Sequence, residues 1–583
     1  MKRTLLSLLA LLLVLCTLLA SCKDVPPPSS NDDPDSGNPN PPAGDQPYTT
    51  TENYVPAEVF AQMKTYFEEA DSAFTLFSGR NNAPFVTTDV FAISNCKVKS
   101  ITIPVFSTGK ADSNGDFIFS LYVLPNDWAT LKAILADPGE PIEIKINAAE
   151  HGLEESKAVR KFITVDLSAY DIELSENETL GFTAPTDTIY PAQVLTKGTS
   201  DTGDKHIAAK YLIDNWNVVG YYYYDTVAQS DEEEPGFTYI DNSLFFDFVL
   251  ERTWESESAY NEMLAAQQAE DAAYAAKLAA VKAAYSGKTL SLIGDSISTF
   301  NTVTNDKSLG LGDNPTYSKY TLGGAVYSYT KTYWGKLVEQ TQMELGIINS
   351  WGAGMVYGRY KYEGDDGMLL RSYNLARNGE DPDVVILNYG INDMGSSFSS
   401  AQEGTRDNRY TGDKPTGNLY QRLTAKGKTK TDKEIVGEWF AEVQNYATQG
   451  GWNPDDPATI THTVVGTSSP YNVSNIYVTW EAAYALSVWN ILRLYEGTEI
   501  YCVTLPDRNH TSSTQPRLSK ANLLIKAIAE YFEVGFVDQL ESGVVRENCI
   551  MYSSDGTGLH PNGRGHAALT KAIVEAMYER LPK

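Results

Sequence analysis

The chain has 583 residues and a formal net charge of −29 at pH 7, with 75 Asp and Glu residues against 46 Lys and Arg. This excess of acid argues against nucleic acid or an anionic membrane surface as a partner, because phosphate contacts require basic patches. Hydrophobic residues make up 42% of the chain, so it can bury sizeable cores.

The N-terminal segment resembles the signal of a bacterial lipoprotein. Two basic residues precede the apolar run Leu5–Ala20, which is shorter than the about 20 residues that span a bilayer. The run ends in the stretch LASC, which is similar to a lipobox and closes at Cys22. We predict a signal peptide at 1–21, lipidation of Cys22, and an outer-membrane location facing the periplasm or the cell surface. The alternative is an ordinary cleaved signal with an incidental cysteine.

The segment 22–51 is rich in Pro, Ser, Asn, Asp and Gly and contains almost no apolar residues. Such a composition cannot bury enough surface to offset its ordering entropy, so we predict a flexible tether. No later segment is long and apolar enough to span a bilayer. The sequence therefore predicts contact with the membrane only through the lipid at Cys22.

The cysteines predict neither a disulfide framework nor a metal site. Of the five in the chain, Cys96, Cys502 and Cys549 remain after the signal residue Cys16 and the lipidation site Cys22. This remainder is odd and has no close pairing. Since no His, Cys and Asp cluster has ligand spacing, we expect no metal and no organic cofactor.

Residues 52–254 have the pattern of an all-β accessory domain. Short β-rich segments are separated by turn-forming stretches, which is typical of a β-sandwich. The segments are Val98–Phe106, Phe117–Leu124, Ile142–Ile146, Phe162–Leu167 and Leu244–Leu250. The region is also rich in aromatic residues, notably Trp216 and the run 221–224. These rings either form a glycan-binding surface or alternate between the core and the rim of a sandwich.

An Ala- and Glu-rich stretch at 255–287 predicts a connecting helix, and from 288 to 583 strands alternate with helices. Short apolar strands in this alternation indicate a parallel sheet covered on both faces. The predicted strands are Leu290–Ile293, Ile347–Asn349, Val384–Asn388, Ile500–Thr504 and Gly535–Asp538. The predicted helices are Lys331–Leu345, Tyr477–Tyr495, Ser519–Phe532 and His566–Leu581. The polar, Gly-rich stretch 394–475 is an insertion with one helix at 433–446, and we expect a lid or a substrate rim.

Residues with the chemistry of acyl transfer follow the predicted strands, where an open parallel sheet collects its functional groups. The stretches are GDS at 294–296, NSWGAG at 349–354, GIND at 390–393 and, before the last helix, DGTGLHPN at 555–562. A serine becomes a nucleophile when a base such as histidine takes its proton. Main-chain N–H groups and an asparagine amide can stabilise the oxyanion that forms. Ser296 is therefore the candidate nucleophile.

These four blocks, in this order, resemble those of the SGNH or GDSL-type hydrolases. The resemblance covers roughly 286–583, without the insertion, and implies a flavodoxin-like α/β three-layer sandwich. It implies that Ser296 is the nucleophile and His560 the base. The Ser296 N–H, Gly354 and Asn392 would form the oxyanion hole, with Gly352 as the competing choice for Gly354.

One block departs from the pattern of that family. The family places an aspartate three residues before the histidine, where this chain has Thr557. Asp555 lies two residues further upstream, and the glycines beside Thr557 would allow the turn to bulge so that its carboxylate reaches His560. Either Asp555 completes a triad, or a backbone carbonyl orients the imidazole and His560 works in a dyad. His566, at the start of the last helix, is expected to be structural.

Together these features predict a lipid-anchored serine ester hydrolase. An N-terminal β-sandwich joined to an SGNH domain is similar to the organisation of some carbohydrate esterases, so acetylated polysaccharide is the expected substrate. One alternative is a lipase or arylesterase that acts on other acyl esters. The other is a surface glycan-binding lipoprotein whose hydrolase domain is inactive.

Overall fold

The computed structural model describes most of the chain after residue 45. The described residues lie almost entirely in one unit, Tyr48–Lys583. They are 46–57, 60–61, 64, 74–76, 85–87, 93–107, 116–126, 134, 136–147, 149–152, 159–183, 189–195, 221–225, 236–240, 242–244, 247–299, 329–350, 356, 367–394, 418–460, 462–464, 472–474, 479–506, 515–544, 552 and 559–582.

The N-terminal region consists mainly of strands in two antiparallel sheets. One has the order β1-β14-β4-β10-β13, with β2 on β10 and β7 and β8 on β4, and the other has the order β12-β11-β3-β9-β5-β6. The strands are β1 Tyr48–Asn53, β2 Phe74–Leu76, β3 Phe85–Thr87, β4 Cys96–Ser107, β5 Asp116–Pro125, β6 Ile142–Asn147, β7 Val159–Asp166, β8 Glu173–Leu174, β9 Glu178–Thr183, β10 Ile189–Leu195, β11 Tyr221–Asp225, β12 Gly236–Ile240, β13 Asn242–Leu244 and β14 Asp247–Trp254.

Both sheets contribute apolar side chains to one buried cluster. The strands alternate apolar and polar residues, so each places one face toward this cluster. In β6, with the sequence IEIKIN, Ile144 and Ile146 are buried while Glu143, Lys145 and Asn147 are exposed. The rings of Phe182, from one sheet, and Phe248, from the other, lie 6.1 Å apart. The prediction of an all-β region is confirmed. Of the strand predicted over Leu244–Leu250, the structure describes Leu244 at the end of β13 and residues 247–250 in β14.

A long helix, α1 Glu257–Tyr285, follows the antiparallel sheets, close to the predicted bounds. Ser256 caps its first turn by accepting a hydrogen bond from the Ala259 N–H at 3.1 Å. Most of the helix surface is exposed, but Val281 and Tyr285, near its end, are buried in the core of the second half. The helix therefore reaches that core only with its last turns.

The second half contains a five-stranded parallel sheet with helices on its faces, as predicted. The sheet has the order β16-β15-β17-β20-β21. Its strands are β15 Thr289–Gly294, β16 Glu344–Ser350, β17 Val384–Asn388, β20 Glu499–Val503 and β21 Gly535–Val537; the short hairpin β18 His462–Val464 and β19 Asn472–Ser474 lies apart from it. The helices are α2 Tyr333–Thr341, α3 Met368–Arg371, α4 Leu419–Thr424, α5 Asp432–Gln449, α6 Trp480–Leu494, α7 Gln515–Phe532 and α8 Gly563–Glu579.

The helix predicted over Lys331–Leu345 is shorter than its apolar periodicity suggests. Gln342 has a φ of 60°, which ends α2 in the left-handed conformation, and Leu345 belongs to β16. The apolar spacing continues past the true end because the next strand is also apolar. Periodicity alone therefore could not find this boundary.

The insertion contributes to the core, which its overall polar composition did not predict. Helix α5 begins with a capping box formed by Thr431 and Glu434. Trp439 and Phe440 on this helix are buried, and the Phe440 ring lies 5.0 Å from the ring of Phe532 on α7. Within the described residues, no helix is both long enough and apolar enough to cross a membrane.

The centre of the parallel sheet should dominate the stability of this half. Ile386 in β17 is fully buried, so Ile386→Ala should lower the free energy of unfolding by about 2–5 kcal/mol. The matched control is Leu523→Ala on α7, where the side chain is 38% exposed. We expect this variant to change the free energy of unfolding by less than about 1 kcal/mol. Urea unfolding measured by circular dichroism tests this, and equal effects of the two variants would contradict the burial pattern.

Candidate active site

The candidate site lies where three neighbouring strands of the parallel sheet end at the same level. Gly294 at the end of β15 pairs with Ser350 at the end of β16 and with Asn388 at the end of β17. The segments that follow β15 and β17 therefore leave the sheet side by side, and they contain the first and the third of the four sequence blocks.

Ser296 stands in a tight turn directly after β15. Residues 296–298 form a single 3-10 turn, which Asp295 caps by accepting a hydrogen bond from the Ile297 N–H at 3.1 Å. A Cβ at Gly294 would lie 2.2 Å from the Ser298 Oγ and 2.7 Å from the Ser350 Oγ. Only glycine fits there, and its absence of a side chain lets the turn fold back on the strand end.

The central contact of the site joins Ser296 to His560. The Ser296 Oγ and the His560 Nε2 lie 2.9 Å apart, although the residues are 264 positions apart in the chain. Ser296 is 6% exposed and His560 is half-buried. A serine hydroxyl within hydrogen-bond distance of an imidazole nitrogen is the arrangement of an activated nucleophile and its base.

The position of His560 is set by the start of α8. Asn562 caps this helix by accepting hydrogen bonds from the Arg564 and Gly565 N–H groups at 3.0 and 3.1 Å. Its own N–H donates to the Tyr552 carbonyl at 2.8 Å. The His-Pro-Asn block is therefore a helix cap that holds the imidazole next to Ser296.

The third block turns at Gly390, which has a φ of 122°. A Cβ at this position would lie 3.0 Å from the ring of Trp480, so a side chain would also crowd the neighbouring helix. The turn continues through Ile391–Met394 and contains the half-buried Asn392. Asp393 in this turn accepts a hydrogen bond from the Val356 N–H at 3.0 Å, which ties the turn to the segment after β16.

Several residues singled out from the sequence lie outside the described residues. They are the oxyanion-hole candidates Gly354 and Gly352, the candidate acid Asp555 with Thr557, the lipidation site Cys22, and Trp216. Their predicted roles stay predictions. Among the described residues, no three His, Cys, Asp or Glu side chains are grouped so that they could hold a metal ion.

Asp295 was noted in the sequence only as part of the GDS motif, yet it is the buried carboxylate closest in sequence to Ser296. It is 1% exposed. Burial raises the pKa of Asp295 to about 6. The Ile297 N–H, the charge of His560 and the N–H groups of Ile391 and Gly390 lower this pKa and offset only part of the effect of burial. The sequence pattern gave the position of this residue but not its burial.

A second histidine, His566, lies behind the site in α8 and has a different environment. It is buried, its Nδ1 accepts a hydrogen bond from the Tyr333 N–H at 3.1 Å, and its ring stacks on Tyr333 at 6.1 Å. Burial lowers the pKa of His566 to about 3, and the charges of Lys336 and His560 act in the same direction. This imidazole is neutral and supports the fold around the site.

A further pair of contacts fixes the turn of Ser296 from behind. The Tyr333 hydroxyl and the Ser298 Oγ lie 2.8 Å apart, and the Trp334 indole N–H donates to the Ser298 carbonyl at 2.9 Å. Tyr333 and Trp334 are fully buried at the start of α2. The nucleophile turn therefore rests on a rigid aromatic support.

Comparison with known proteins agrees with this arrangement. Residues 292–568 match the model of the GDSL-like lipase/acylhydrolase family. This part of the chain belongs to that family. The domain is an SGNH-type ester hydrolase, with its parallel sheet flanked by helices as expected for that fold. The comparison with curated proteins gave no match.

Solved structures similar to the hydrolase domain share little sequence with it. One is described as a GDSL-like lipase from Bacteroides ovatus, at 14% identity and a TM-score of 0.28, covering 50% of this chain and 99% of that chain. A catalytic variant of the acetylxylan esterase Axe2 from Geobacillus stearothermophilus has 14% identity, a TM-score of 0.26 and coverages of 50% and 95%. The carbohydrate acetylesterase Est24 from Sinorhizobium meliloti has 14% identity, a TM-score of 0.25 and coverages of 49% and 97%.

The low pKa of His566 should appear in the pH dependence of stability. The unfolded chain takes up a proton at this histidine near pH 6.5, whereas the folded chain does so only at about pH 3. Its contribution to stability is thus present above pH 6.5 and is lost as the pH falls through this window, by up to about 1.4 kcal/mol per pH unit. His566→Gln should flatten this part of the dependence.

Free energies of unfolding measured in urea at pH 7, 6, 5 and 4 test this expectation. Tyr333→Phe is the matched control, because it keeps both the imidazole and the main-chain N–H that donates to it. The control should keep the slope of the parent protein. A slope in His566→Gln equal to that of the parent would show that His566 is protonated in the folded protein.

Proposed function

We propose that the domain hydrolyses esters with Ser296 as the nucleophile and His560 as the general base. The observation that carries this proposal is the 2.9 Å contact between the Ser296 Oγ and the His560 Nε2. A neutral imidazole with a free lone pair at Nε2 can accept the hydroxyl proton as Oγ attacks an ester carbonyl carbon. No other acid or base is required for this step.

The reaction then follows the course of acyl transfer. The new Oγ–C bond forms as the carbonyl electron pair moves onto oxygen, and the tetrahedral intermediate expels the alcohol, which takes its proton from His560. A water molecule then attacks the acyl-serine while His560 accepts its proton. The C–Oγ bond breaks, the proton returns to Ser296 Oγ, and the carboxylic acid leaves.

The oxyanion of the intermediate would be bound by donors from adjacent turns. The Ser296 N–H and the Asn392 amide come from the turns after β15 and β17, which leave the sheet side by side. Gly354 is proposed as the third donor from the family resemblance. Preorganised donors of this kind contribute about 3–4 kcal/mol each to lowering the barrier.

We further propose that the substrate is an acetylated polysaccharide and that Cys22 carries a lipid anchor at the outer membrane. The support is the organisation of the chain, in which a lipoprotein-type N-terminus and an aromatic-rich, all-β region precede the hydrolase domain. Cys22→Ser should release the protein from the membrane fraction of cells that express it. Retention of that variant in the membrane fraction would argue against the anchor.

One observation favours a second candidate, an esterase for longer acyl groups. One pocket of the described structure is lined largely by apolar side chains, among them Ile297, Leu559 and Leu569. Ile297 follows the nucleophile and Leu559 precedes the base in the chain. Apolar side chains next to the nucleophile and the base in the chain could contact an acyl group longer than acetyl.

Ser296→Ala should abolish hydrolysis of a small acetyl ester by the full-length protein. Ser258→Ala is the control, since it removes an exposed serine hydroxyl at the start of α1 and should keep the activity of the parent. In the same assay Asp555→Ala should lower kcat by up to about 10⁴-fold if Asp555 completes a triad, and far less if His560 works in a dyad. Activity that survives Ser296→Ala would exclude the proposed nucleophile.

The acyl preference separates the two candidate substrates. For an acetylesterase, kcat/KM should fall steeply from acetyl to butyryl to octanoyl esters of one alcohol, and the protein should release acetate from acetylated xylan. A rise with chain length would favour the second candidate. No activity on any of these esters would leave the glycan-binding alternative, which binding of the unmodified polysaccharide would test.

A further inference from the structure

The Asn392 turn, residues 390–394, lies beyond the paired part of the parallel sheet. Among the described strands, the pairing of β17 ends at Asn388, and at Gly390 the chain leaves the strand direction with a φ of 122°. An amide that stabilises an oxyanion must already be in place when the charge forms. The turn that carries Asn392 therefore depends on contacts outside the sheet.

The side chain of Asp393, the residue after Asn392, makes such a contact. Its Oδ2 accepts a hydrogen bond from the Val356 N–H at 3.0 Å, although the two residues are 37 positions apart in the chain. Both residues are fully buried. Water does not compete for a hydrogen bond at this depth, and a charged acceptor makes the bond stronger than one between neutral groups.

Val356 is itself held from two sides. Its carbonyl accepts a hydrogen bond from the Met368 N–H, at the start of α3, at 2.9 Å. Its Cγ2 lies 3.2 Å from the position that a Cβ on Gly390 would take, so its side chain packs against the first residue of the Asn392 turn. Val356 thus meets this turn twice, with its side chain at Gly390 and with its N–H at Asp393.

Helix α3 is attached in turn to the end of β16. Arg371 in this helix is buried, and its guanidinium donates a hydrogen bond to the Asn349 Oδ1. The Asn349 amide donates to the Arg371 carbonyl at 3.3 Å. Asn349 lies in β16, which pairs with β15, the strand that precedes Ser296. Contacts of described residues therefore connect the nucleophile strand to Asp393 through β16, α3 and Val356.

We propose that Asp393 is a positioning residue that holds the Asn392 amide in place for the oxyanion by binding the Val356 N–H. This inference rests on the proposed function, which assigns Asn392 to the oxyanion hole. Asp393 is fully buried and acts through the main chain, so it does not touch the substrate. Its loss should weaken binding of the transition state more than binding of the ester, because the oxyanion forms only during the reaction.

The first test compares two replacements of Asp393 in the full-length protein. Asp393→Ala removes the acceptor for the Val356 N–H, so kcat for a small acetyl ester should fall about 10- to 100-fold with KM nearly unchanged. Asp393→Asn keeps an oxygen that can accept the same N–H, so its kcat should stay within about fivefold of the parent. If Asp393→Asn is as slow as Asp393→Ala, the bond to Val356 does not position the turn and the proposal is overturned.

A double-mutant cycle shows whether Asp393 acts through Asn392. Asn392→Ala alone should lower kcat by about 10²- to 10³-fold. Once this amide is absent, adding Asp393→Ala should lower kcat by no more than about a further threefold, since both changes affect one donor. If the two effects multiply instead, Asp393 acts independently of Asn392 and the proposed role is wrong.

A boronic acid that forms a tetrahedral adduct with Ser296 gives a readout that does not depend on turnover. The adduct places an oxygen in the oxyanion hole, so its affinity should fall in Asp393→Ala by about the same factor as kcat. An affinity equal to that of the parent would contradict the proposal.

Asp383→Ala is the matched control. The Asp383 Oδ2 accepts a hydrogen bond from the Thr289 N–H at 2.7 Å and so joins the starts of β17 and β15, at the edge of the sheet opposite the site. Its replacement removes the same kind of bond between the same two strands. Both kcat and the affinity for the boronic acid should equal those of the parent, and an effect as large as that of Asp393→Ala would contradict a role specific to the Asn392 turn.

Ser296→Ala in the same assay separates this inference from the proposed function. If Ser296→Ala stays active, the proposed function is wrong. If it is inactive while Asp393→Ala has the kcat of the parent, only the role of Asp393 is wrong. Should Asp393→Ala fail to fold, Asp393→Ser, whose side chain is shorter than that of Asp, replaces it in each comparison. If neither variant folds while Asn392→Ala does, Asp393 is a stabilising residue and the proposal is overturned.

Discussion

The site depends on one constraint, the common level at which β15, β16 and β17 end. Gly294 pairs with Ser350 on one side and with Asn388 on the other, so the three strands end at a single edge of the sheet. Side chains from distant parts of the chain can then meet without long loops. The hydrogen bond between Ser296 and His560 closes this arrangement by bringing the start of α8 over the same edge. A shift of one residue in any of these strands would turn the relevant side chains to the other face.

The two histidines near the site, His560 and His566, differ in burial and in hydrogen bonding. His566 is enclosed, accepts a main-chain N–H and is neutral, whereas His560 is half-buried with its Nε2 facing a hydroxyl. Only His560 is therefore placed to carry a proton during a reaction at Ser296. The fold thus places His560 against the nucleophile and encloses His566 beside the buried ring of Tyr333.

The parallel sheet and the order of the four sequence blocks could be predicted from the sequence. β17 is a short, fully buried strand of four apolar residues followed by Asn388, and its predicted bounds agree with the structure. The order of the four blocks was equally visible, since each follows a strand or precedes the last helix. The end of α2 could not be predicted from the sequence. The apolar spacing continues into β16, and nothing about Gln342 as a residue type indicates its left-handed conformation. Burial of Asp295 and the distance between Ser296 and His560 were also beyond the sequence, since both arise from strand register rather than from local pattern.

The insertion shows that composition averaged over a long segment can hide a helix that belongs to the core. Its polar, Gly-rich character suggested a lid or a rim, but α5 carries a narrow apolar stripe that includes Trp439, Phe440 and Val443, all buried. Phe440 packs against Phe532 of α7, a helix that also covers the parallel sheet. Opening α5 as a lid would expose this stripe to water, at a cost of about 1.5–3 kcal/mol for each large side chain. The described helix is therefore a fixed part of the hydrolase core.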